Sequence, residues 1–425
     1  MAHNGSPFNR AESPIPDLRG QTLLVLGSVG FSKRGLYEAA ARRGLQIALV
    51  KQEPATWEAG YCTSLLPLNC ASYDEFDRVI PAVLDFARRH RVGGVVTTFD
   101  AAIPAAAEVA SRLGLAGIPP AAAAALRDKS LMRRRFAELG LPSANSIPVR
   151  TPGEAASAAA EIGYPVIVKP RMGTGSAGVL LATSPDALRD FFATAQLAMQ
   201  AANGRDELLI EEYLDGIEVC VDAVVANGEL AFLNITDNPE VMNGPSFGGY
   251  EYVTPTSLSP GTAAEINAIN RRVIEGFELA NTVSHTEIRV TSRGPRLIEA
   301  HARPAGQRMP KIIQQACGID LLGAAVEIAM NVRPDTDPRA RGYACYRCVC
   351  PERAGILRVV DGIDAARAVP GVFDVELAIR PGTPVKTLPR DHQEDIAYVL
   401  TEGPSYEAAR GSAQTAASLI HTEVA

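Results

Sequence analysis

The sequence predicts an α/β fold in which a parallel, doubly wound N-terminal unit is followed by mixed α+β units. Three patterns carry that expectation. Short apolar runs alternate with helical stretches between Thr22 and Thr98, which implies parallel strands joined by crossover helices. A second alternating set begins at Pro152. Near residue 290, two strand-like runs are separated by a short turn instead of a helix, which implies an antiparallel hairpin.

Residues 1–20 are polar, hold Pro7, Pro14 and Pro16, and read as a flexible tail. The unit at 21–120 opens with the strand Thr22-Leu23-Leu24-Val25-Leu26, whose unbroken apolar character suits burial on both faces. The glycine-bearing segment Gly27 to Gly35 leads into a helix ending near Arg43. A strand at Gln46–Val50, a helix at Tyr73–His90 and a strand at Gly94–Thr98 complete the alternation. Gly27, Gly30 and Gly35, with Glu53 beyond, invite a dinucleotide reading. Their spacing departs from that fingerprint, and tight strand-to-helix turns need glycine for steric reasons alone. The expectation is therefore a Rossmann-like, substrate-side unit without a nicotinamide cofactor.

From Ala121 an alanine-rich start leads into one helix carrying Asp128 to Phe136, stopped by Gly140-Leu141-Pro142. A helix at Pro152–Ile162, a strand at Pro165–Pro170, a glycine loop, a strand from Gly178, a helix at Asp186–Ala202 and a strand at Glu207–Glu212 follow. The next strand spans Glu218–Ala226, and the hairpin pairs Ser284–Val290 with Pro295–Glu299. Lys311–Asn331 reads as helical. Short strands and turns fill 342–401 before a last helix near Tyr406–His421. Units at 121–215, 216–340 and 341–425 result.

A 425-residue chain with 47% hydrophobic content can bury substantial cores. A net charge of −7 without a basic block argues against nucleic acid or an anionic membrane as partner. No apolar run approaches a membrane span, and seven cysteines suit a reducing compartment, so a cytoplasmic location is expected. Cys345, Cys348 and Cys350 have no fourth ligand nearby and read as small buried side chains.

The hairpin is the most informative segment. It brings Glu287 and Glu299 near each other, and Glu299, His301 and Arg303 alternate along an extended run, so they point the same way. Paired carboxylates suit Mg²⁺, which binds through one or two acids plus substrate phosphates. An adjacent arginine suits a phosphoryl group or a developing oxyanion. Alternating Glu and Arg also describe a solvated face with cross-strand ion pairs, and the rest of the chain weighs against that. Arg171 to Gly178 lies between two strands and lacks a Gly-Lys-Ser/Thr ending, so it is no P-loop. Its Gly175-Ser176-Ala177 can still fold over phosphates beside Lys169. Glu211-Glu212-Tyr213-Leu214 reads as a strand leaving its sheet, with main-chain groups for an adenine edge, and Glu218 as an acceptor for ribose hydroxyls.

In this order the pieces resemble the ATP-grasp enzymes from Thr22 to about residue 420: Asp128-Lys129, Val168-Lys169-Pro170, the 173–178 loop, Glu211 to Leu214, Glu218, Glu287 and Glu299-x-His301-x-Arg303. The pattern Ala106 to Ala110, Leu113 to Gly117, His285-Thr286-Glu287 and Arg303-Pro304-Ala305-Gly306 are similar to the L-amino-acid ligases of bacilysin and dapdiamide type. The resemblance implies an ATP-grasp linker and lid at 121–215, a catalytic core at 216–340 and a C-terminal subdomain at 341–425. It implies that Lys129 and Lys169 contact ATP phosphates and that Glu287 and Glu299 bind Mg²⁺, expected as two ions. His301 stands where the family usually has asparagine. An imidazole is a less natural Mg²⁺ ligand than an amide oxygen, so the position serves as a ligand, through water, or on the phosphate.

The activity implied is amide formation between two amino acids through an acyl phosphate, yielding a dipeptide or γ-glutamyl product. Arg303 and His285 are the expected oxyanion stabilisers. Gly306, Gln307 and Arg308 are expected at the acyl-donor pocket, with Arg308 on a substrate carboxylate or in a surface ion pair. Small amino acids are the expected partners and a homodimer the expected assembly. A biotin-carboxylase-like enzyme and a non-catalytic nucleotide-binding regulator are the alternatives.

Overall fold

The first strand, β1 (Thr22–Leu26), is apolar from Leu23 onward because both of its faces are covered. A computed structural model, describing residues 17–27, 31–69, 76–201, 207–240, 247–339, 341–386 and 395–425, gives the arrangement. With α1 (Arg34–Arg42), β2 (Gln46–Val50), α2 (Thr56–Ala59), β3 (Cys62–Leu66), α3 (Phe76–Arg89), β4 (Val92–Val96) and α4 (Ile103–Leu113), β1 builds a parallel sheet of order β3-β2-β1-β4. Leu24, Leu26, Ala48 and Val50 pack with α3 and α4. Leu23, Val25, Ile47 and Leu49 pack with α1 and with a helix nearly three hundred residues further on, Leu321–Ala329. The sheet is thus doubly wound, but its second face is closed by a distant segment. β3 is absent from the sequence expectation because Cys62-Thr63-Ser64 is a weak apolar run on a half-exposed edge.

The predicted helix across Asp128 is two helices, α5 (Pro120–Arg127) and α6 (Lys129–Glu138). Asp128 breaks the run by capping α6, its Oδ1 accepting from the backbone N–H of Ser130 (3.0 Å) and Leu131 (3.2 Å). A second, antiparallel sheet follows, built from β5 (Ser146–Val149), α7 (Pro152–Ile162), β6 (Val166–Pro170), β7 (Leu180–Ala182), α8 (Pro185–Ala201) and β8 (Leu208–Glu212), in the order β5-β8-β6-β7. Ala155, Ala159, Val166, Val168, Phe192 and Ile210 form its core under α7 and α8.

The largest sheet has eight strands. Its first part comes from β9 (Ile217–Ala226), β10 (Glu229–Asn238), β11 (Glu251–Thr254), α9 (Pro260–Gly276), β12 (Thr282–Thr291) and β13 (Gly294–His301). Next come α10 (Met309–Cys317) and α11 (Leu321–Ala329), bent by 99° where a single helix was expected. Gly318, at φ +76°, closes α10, and Asp320 caps α11 through the Gly323 N–H. The chain continues through β14 (Tyr343–Val349), β15 (Gly355–Asp361), α12 (Ile363–Arg367), β16 (Val372–Leu377), β17 (Pro384–Val385), β18 (Ala397–Gly403), α13 (Tyr406–Ser418) and β19 (His421–Val424). The order β13-β12-β9-β10-β11-β14-β18-β16 shows that the C-terminal region extends the central sheet, while β17-β15-β19 forms a small sheet of its own. The sequence expectation omits β10, although Asn227-Gly228, both at positive φ, join β9 and β10 in a two-residue turn.

One face of the central sheet packs on α5, α6 and α9 through Val219, Val221, Phe136 and Ile269. Cys345 and Cys348 are buried on β14. Among the described residues no single helix is long and apolar enough to cross a membrane.

Candidate active site

Three adjacent strands carry the polar groups in register. On β12, His285, Glu287 and Arg289 stand opposite Asp222, Cys220 and Glu218 of β9. Toward β13, His285 faces His301 and Glu287 faces Glu299. The register then shifts, so that Ile288 pairs with Leu297 and both join the core beneath, while Glu299 and His301 stay on the open face. Arg133 takes up the Ile298 carbonyl at this irregularity, at 2.6 Å.

A cavity of about 610 Å³ lies over the three strands, and residues of the β5–β8 sheet and the N-terminal unit complete its wall. Lys129 Nζ lies 3.2 Å from Glu299 Oε2 and donates to the Gly173 carbonyl at 3.1 Å. Lys169 Nζ lies 2.8 Å from Glu211 Oε2 and 3.5 Å from Glu299 Oε1. Burial opposes ionisation of Glu299, but the two lysines hold its carboxyl well below the usual range. The loop between β6 and β7 crosses the cavity with Gly173, Gly175, Ser176 and Ala177 in the wall. Gly175 and Ser176 sit at φ +62° and +55°, a turn that exposes main-chain N–H groups.

The Glu211 side chain meets cations in the cavity wall. It is buried, and Arg133 grips it with Nε and Nη2, both at 2.9 Å, while Lys169 binds it from the other side. Burial would raise its pKa, but Arg133 and then Lys169 hold it down to about 2. The Glu211 carboxylate thus anchors the lysine. Glu211→Gln strips the carboxylate from a buried guanidinium and should lower unfolding free energy by about 3–5 kcal/mol in urea denaturation. A loss below about 1 kcal/mol would mean that Arg133 finds another partner. Glu212 pairs with Arg293 at the cavity edge, and Tyr213 and Leu214 line the wall between β8 and β9. Gly216 must be glycine: its φ is +82°, and a Cβ there would meet the Val290 carbonyl oxygen at 2.0 Å. Glu218 accepts from Asn238 at 3.3 Å and lies 3.4 Å from Arg289. Burial, reinforced by the Glu287 charge, pushes it up to about 7.

His301 lines the cavity between two carboxylates. Its Nδ1 lies 3.1 Å from Asp100 and its Nε2 3.4 Å from Glu299, so both ring nitrogens face carboxylates. Burial lowers its pKa, yet Asp100 and then Glu299 more than offset this and raise it. His285 is held in the same way, Nδ1 to Asp222 at 3.0 Å and Nε2 to Glu287 at 3.7 Å. Arg303 lines the cavity with Asp100 bound along one edge, at 2.6 and 2.8 Å.

Gly306 and Gln307 line the cavity, the latter accepting from the Tyr346 hydroxyl at 2.6 Å. Arg308 is turned away from it. Its guanidinium binds Glu376 at 2.8 Å and lies 3.9 Å from the Tyr398 ring centre, tying α10 to β16 and β18. An apolar and charged neighbourhood thus claims this arginine before a substrate can. Of the glycine-rich segment at 243–250, residues 243–246 lie outside the described residues, and Phe247 to Tyr250 line the cavity.

The oxygen donors suit Mg²⁺. Glu287 and Glu299 are direct cross-strand partners, and the ordinary Mg²⁺ site takes one or two such acids plus phosphates. Among the described residues no three His, Cys, Asp or Glu side chains form a ready-made cage, which Mg²⁺ does not require.

Asp100, Asp222, Arg133 and Arg289 were not singled out from the sequence. Asp100 alone had a readable signal, since it follows the carboxyl end of a parallel strand, where α/β sheets bind ligands.

Comparisons with known proteins match the chain's domains. An ATP-grasp N-terminal domain model matches residues 37–117, an ATP-grasp domain model 162–311, and an L-amino acid ligase C-terminal domain model 347–425. Uncharacterized protein y4rH of Sinorhizobium fredii is 30% identical over 251 residues, 59% of this chain and 50% of that protein. Carnosine synthase 1 of Homo sapiens is 26% identical over 414 residues, 92% of this chain and 50% of that protein. The chain therefore spans about half the length of these curated relatives. The crystal structure of an L-amino acid ligase from Bacillus licheniformis superposes with a TM-score of 0.81 at 19% identity, covering 96% of this chain and 99% of that one. The chain is thus built from ATP-grasp domains followed by an L-amino acid ligase C-terminal domain, and it has the fold of that solved ligase.

Proposed function

We propose that the chain is an ATP- and Mg²⁺-dependent ligase that joins the carboxylate of one amino acid to the amine of another through an acyl phosphate. One observation carries this reading: Glu287 and Glu299 face each other across the hairpin, with Lys129 and Lys169 3.2 and 3.5 Å from Glu299. Paired acids beside buried ammonium groups accommodate a metal and a polyphosphate together. The ATP phosphates run along Lys129, Lys169 and the Gly175-Ser176-Ala177 loop, with adenine near Tyr213 and Leu214 and ribose near Glu218. Glu287 and Glu299 hold Mg²⁺, expected as two ions, which when bound offsets charge on the phosphate oxygens.

A substrate carboxylate oxygen bonds the γ-phosphorus as the bond to the ADP oxygen breaks. The lysines stabilise the charge on the transferring group. A neutral amine then attacks the acyl carbon, Arg303 donates to the resulting oxyanion, and phosphate departs as the amide forms and the amine proton passes to phosphate or solvent.

Asp395 points to the donor's chemistry. It is buried in the wall and accepts from the Tyr398 hydroxyl at 2.5 Å and the Cys350 thiol at 3.2 Å. Asp100, Glu211, Glu218, Glu287 and Glu299 each have a basic partner. Among the described residues Asp395 is the one buried acid of the wall without an ion pair, the Arg308 charge acting on it only from a distance. A substrate ammonium supplies the missing charge. It is not the reacting amine, which must be neutral to attack, so it belongs to the acyl donor.

Amino-acid pairs incubated with ATP and Mg²⁺ should release phosphate and give a product whose mass is the sum of both less water. Donors lacking the ammonium should be poor substrates. ADP release that depends on bicarbonate and not on amine would replace the reading with a carboxylase. ATP binding without turnover on any pair would replace it with a regulator.

A further inference from the structure

We propose that Asp100, on the N-terminal parallel unit, is a positioning residue that sets the Arg303 guanidinium for its role at the reacting carbonyl. The proposal rests on the ligase reading for what Arg303 does, and on geometry for how Asp100 acts on it.

Asp100 opens a short turn four residues beyond the end of β4. That turn is held firmly: Thr97 Oγ1 donates to the Leu26 carbonyl at 2.7 Å and accepts from the Phe99 N–H at 3.0 Å. The carboxylate is only 7% exposed, and ionised acids so placed persist only when paired. Its partners come from about two hundred residues away. Arg303 donates through Nε to Oδ1 at 2.6 Å and through Nη2 to Oδ2 at 2.8 Å, and His301 Nδ1 adds a contact at 3.1 Å.

Counting donors shows the consequence. A guanidinium has five N–H groups. Asp100 takes two and the Pro304 carbonyl one, from Nη1 at 2.9 Å, which leaves one on each terminal nitrogen. The edge that would otherwise chelate a carboxylate or phosphate is therefore filled by protein, and the remaining N–H groups are the ones available at the cavity. Fixing donors in advance is what lets them favour a developing charge over the ground state. The same unit holds the segment a second time, Lys33 Nζ donating to the Ala305 carbonyl at 2.6 Å. Two side chains of the N-terminal unit thus fix the run that carries Arg303.

Asparagine at 100 keeps one acceptor but turns an N–H toward Nη2, so the fork opens without a change of volume. The test is a double-mutant cycle with Asp100→Asn, Arg303→Ala and both together. Asp100→Asn should lower kcat about 10²-fold with KM for ATP within a few-fold. The double variant should be no slower than Arg303→Ala, because Asp100 acts only through that arginine. Independent effects that multiply, or an Asp100→Asn enzyme of unchanged kcat, would overturn the proposal. Should Asp100→Asn fail to fold, Asp100→Glu takes its place in the cycle.

Failure of the ligase reading looks different: Arg303→Ala itself would leave turnover intact, or no amino-acid pair would react. In either case ¹⁵N-arginine spectra decide the positioning. A slowly exchanging Arg303 Nε–H, identified by its loss in Arg303→Ala, should vanish in Asp100→Asn; its persistence would overturn the role of Asp100.

Discussion

Arg303→Ala should lower kcat about 10²- to 10³-fold while ATP affinity stays within a few-fold, the scale seen when one oxyanion donor is removed. The guanidinium lines the cavity close to His301 and Gly306, whereas the groups proposed for ATP phosphates are Lys129 and Lys169 on other elements. Removing the arginine therefore deletes a contact made as charge develops on the carbonyl, and leaves the nucleotide's own partners in place. Steady-state kinetics with calorimetric ATP titration separate the cases: a parallel loss of affinity and rate would make Arg303 a ground-state anchor instead. The substitution also strips Asp100 of its main partner while His301 stays 3.1 Å away, so thermal denaturation belongs beside the kinetics.

Glu299→Gln should have a comparable or larger effect, about 10³-fold in kcat, with a marked rise in the Mg²⁺ concentration needed for half-maximal rate. Three basic side chains converge on this carboxylate: Lys129 at 3.2 Å, Lys169 at 3.5 Å and the His301 ring at 3.4 Å. Glutamine keeps one oxygen but loses the charge and presents an N–H toward the ammonium groups. The lysines would then sit nearer the phosphates with less to offset them, and the metal would lose one of its two acids. The fold should survive, since Lys169 keeps Glu211 at 2.8 Å. Rate measured against Mg²⁺, in each enzyme after chelator treatment, checks this. An unaltered Mg²⁺ dependence would remove Glu299 from the metal site.

Local signals and distant pairings differ sharply in how far they could be read. The Glu287–Glu299 pairing was legible because a short turn after Val290 brings the next strand back at a fixed offset, and alternation then assigns faces. The runs Thr22–Leu26 and Gln46–Val50 were legible because burial on both faces demands apolar residues, unbroken from Leu23 and from Ile47. Helix ends at Asp128 and Gly318 were misread, as alanine-rich and apolar stretches continue across them and only the capping geometry shows the break. From the sequence Arg308 was open to a substrate carboxylate or to an ion pair. Glu376 and the Tyr398 ring, about seventy to ninety residues further on, take it out of the cavity.

By itself the sequence determined which residue types lie next to one another on a strand, hence the acid pair on the hairpin, the lysine ending β6 and the glycine loop after it. Such features depend on backbone period and turn length, which act over a few residues. The tertiary structure alone decided that Asp100 meets Arg303, that Glu211 serves Arg133 and Lys169, and that Asp395 stands in the wall with no ion pair among the described residues. A charge finds its partner through the packing of whole sheets, and with 48 acids and 41 lysines and arginines in the chain, spacing along the sequence carries almost no information about that choice.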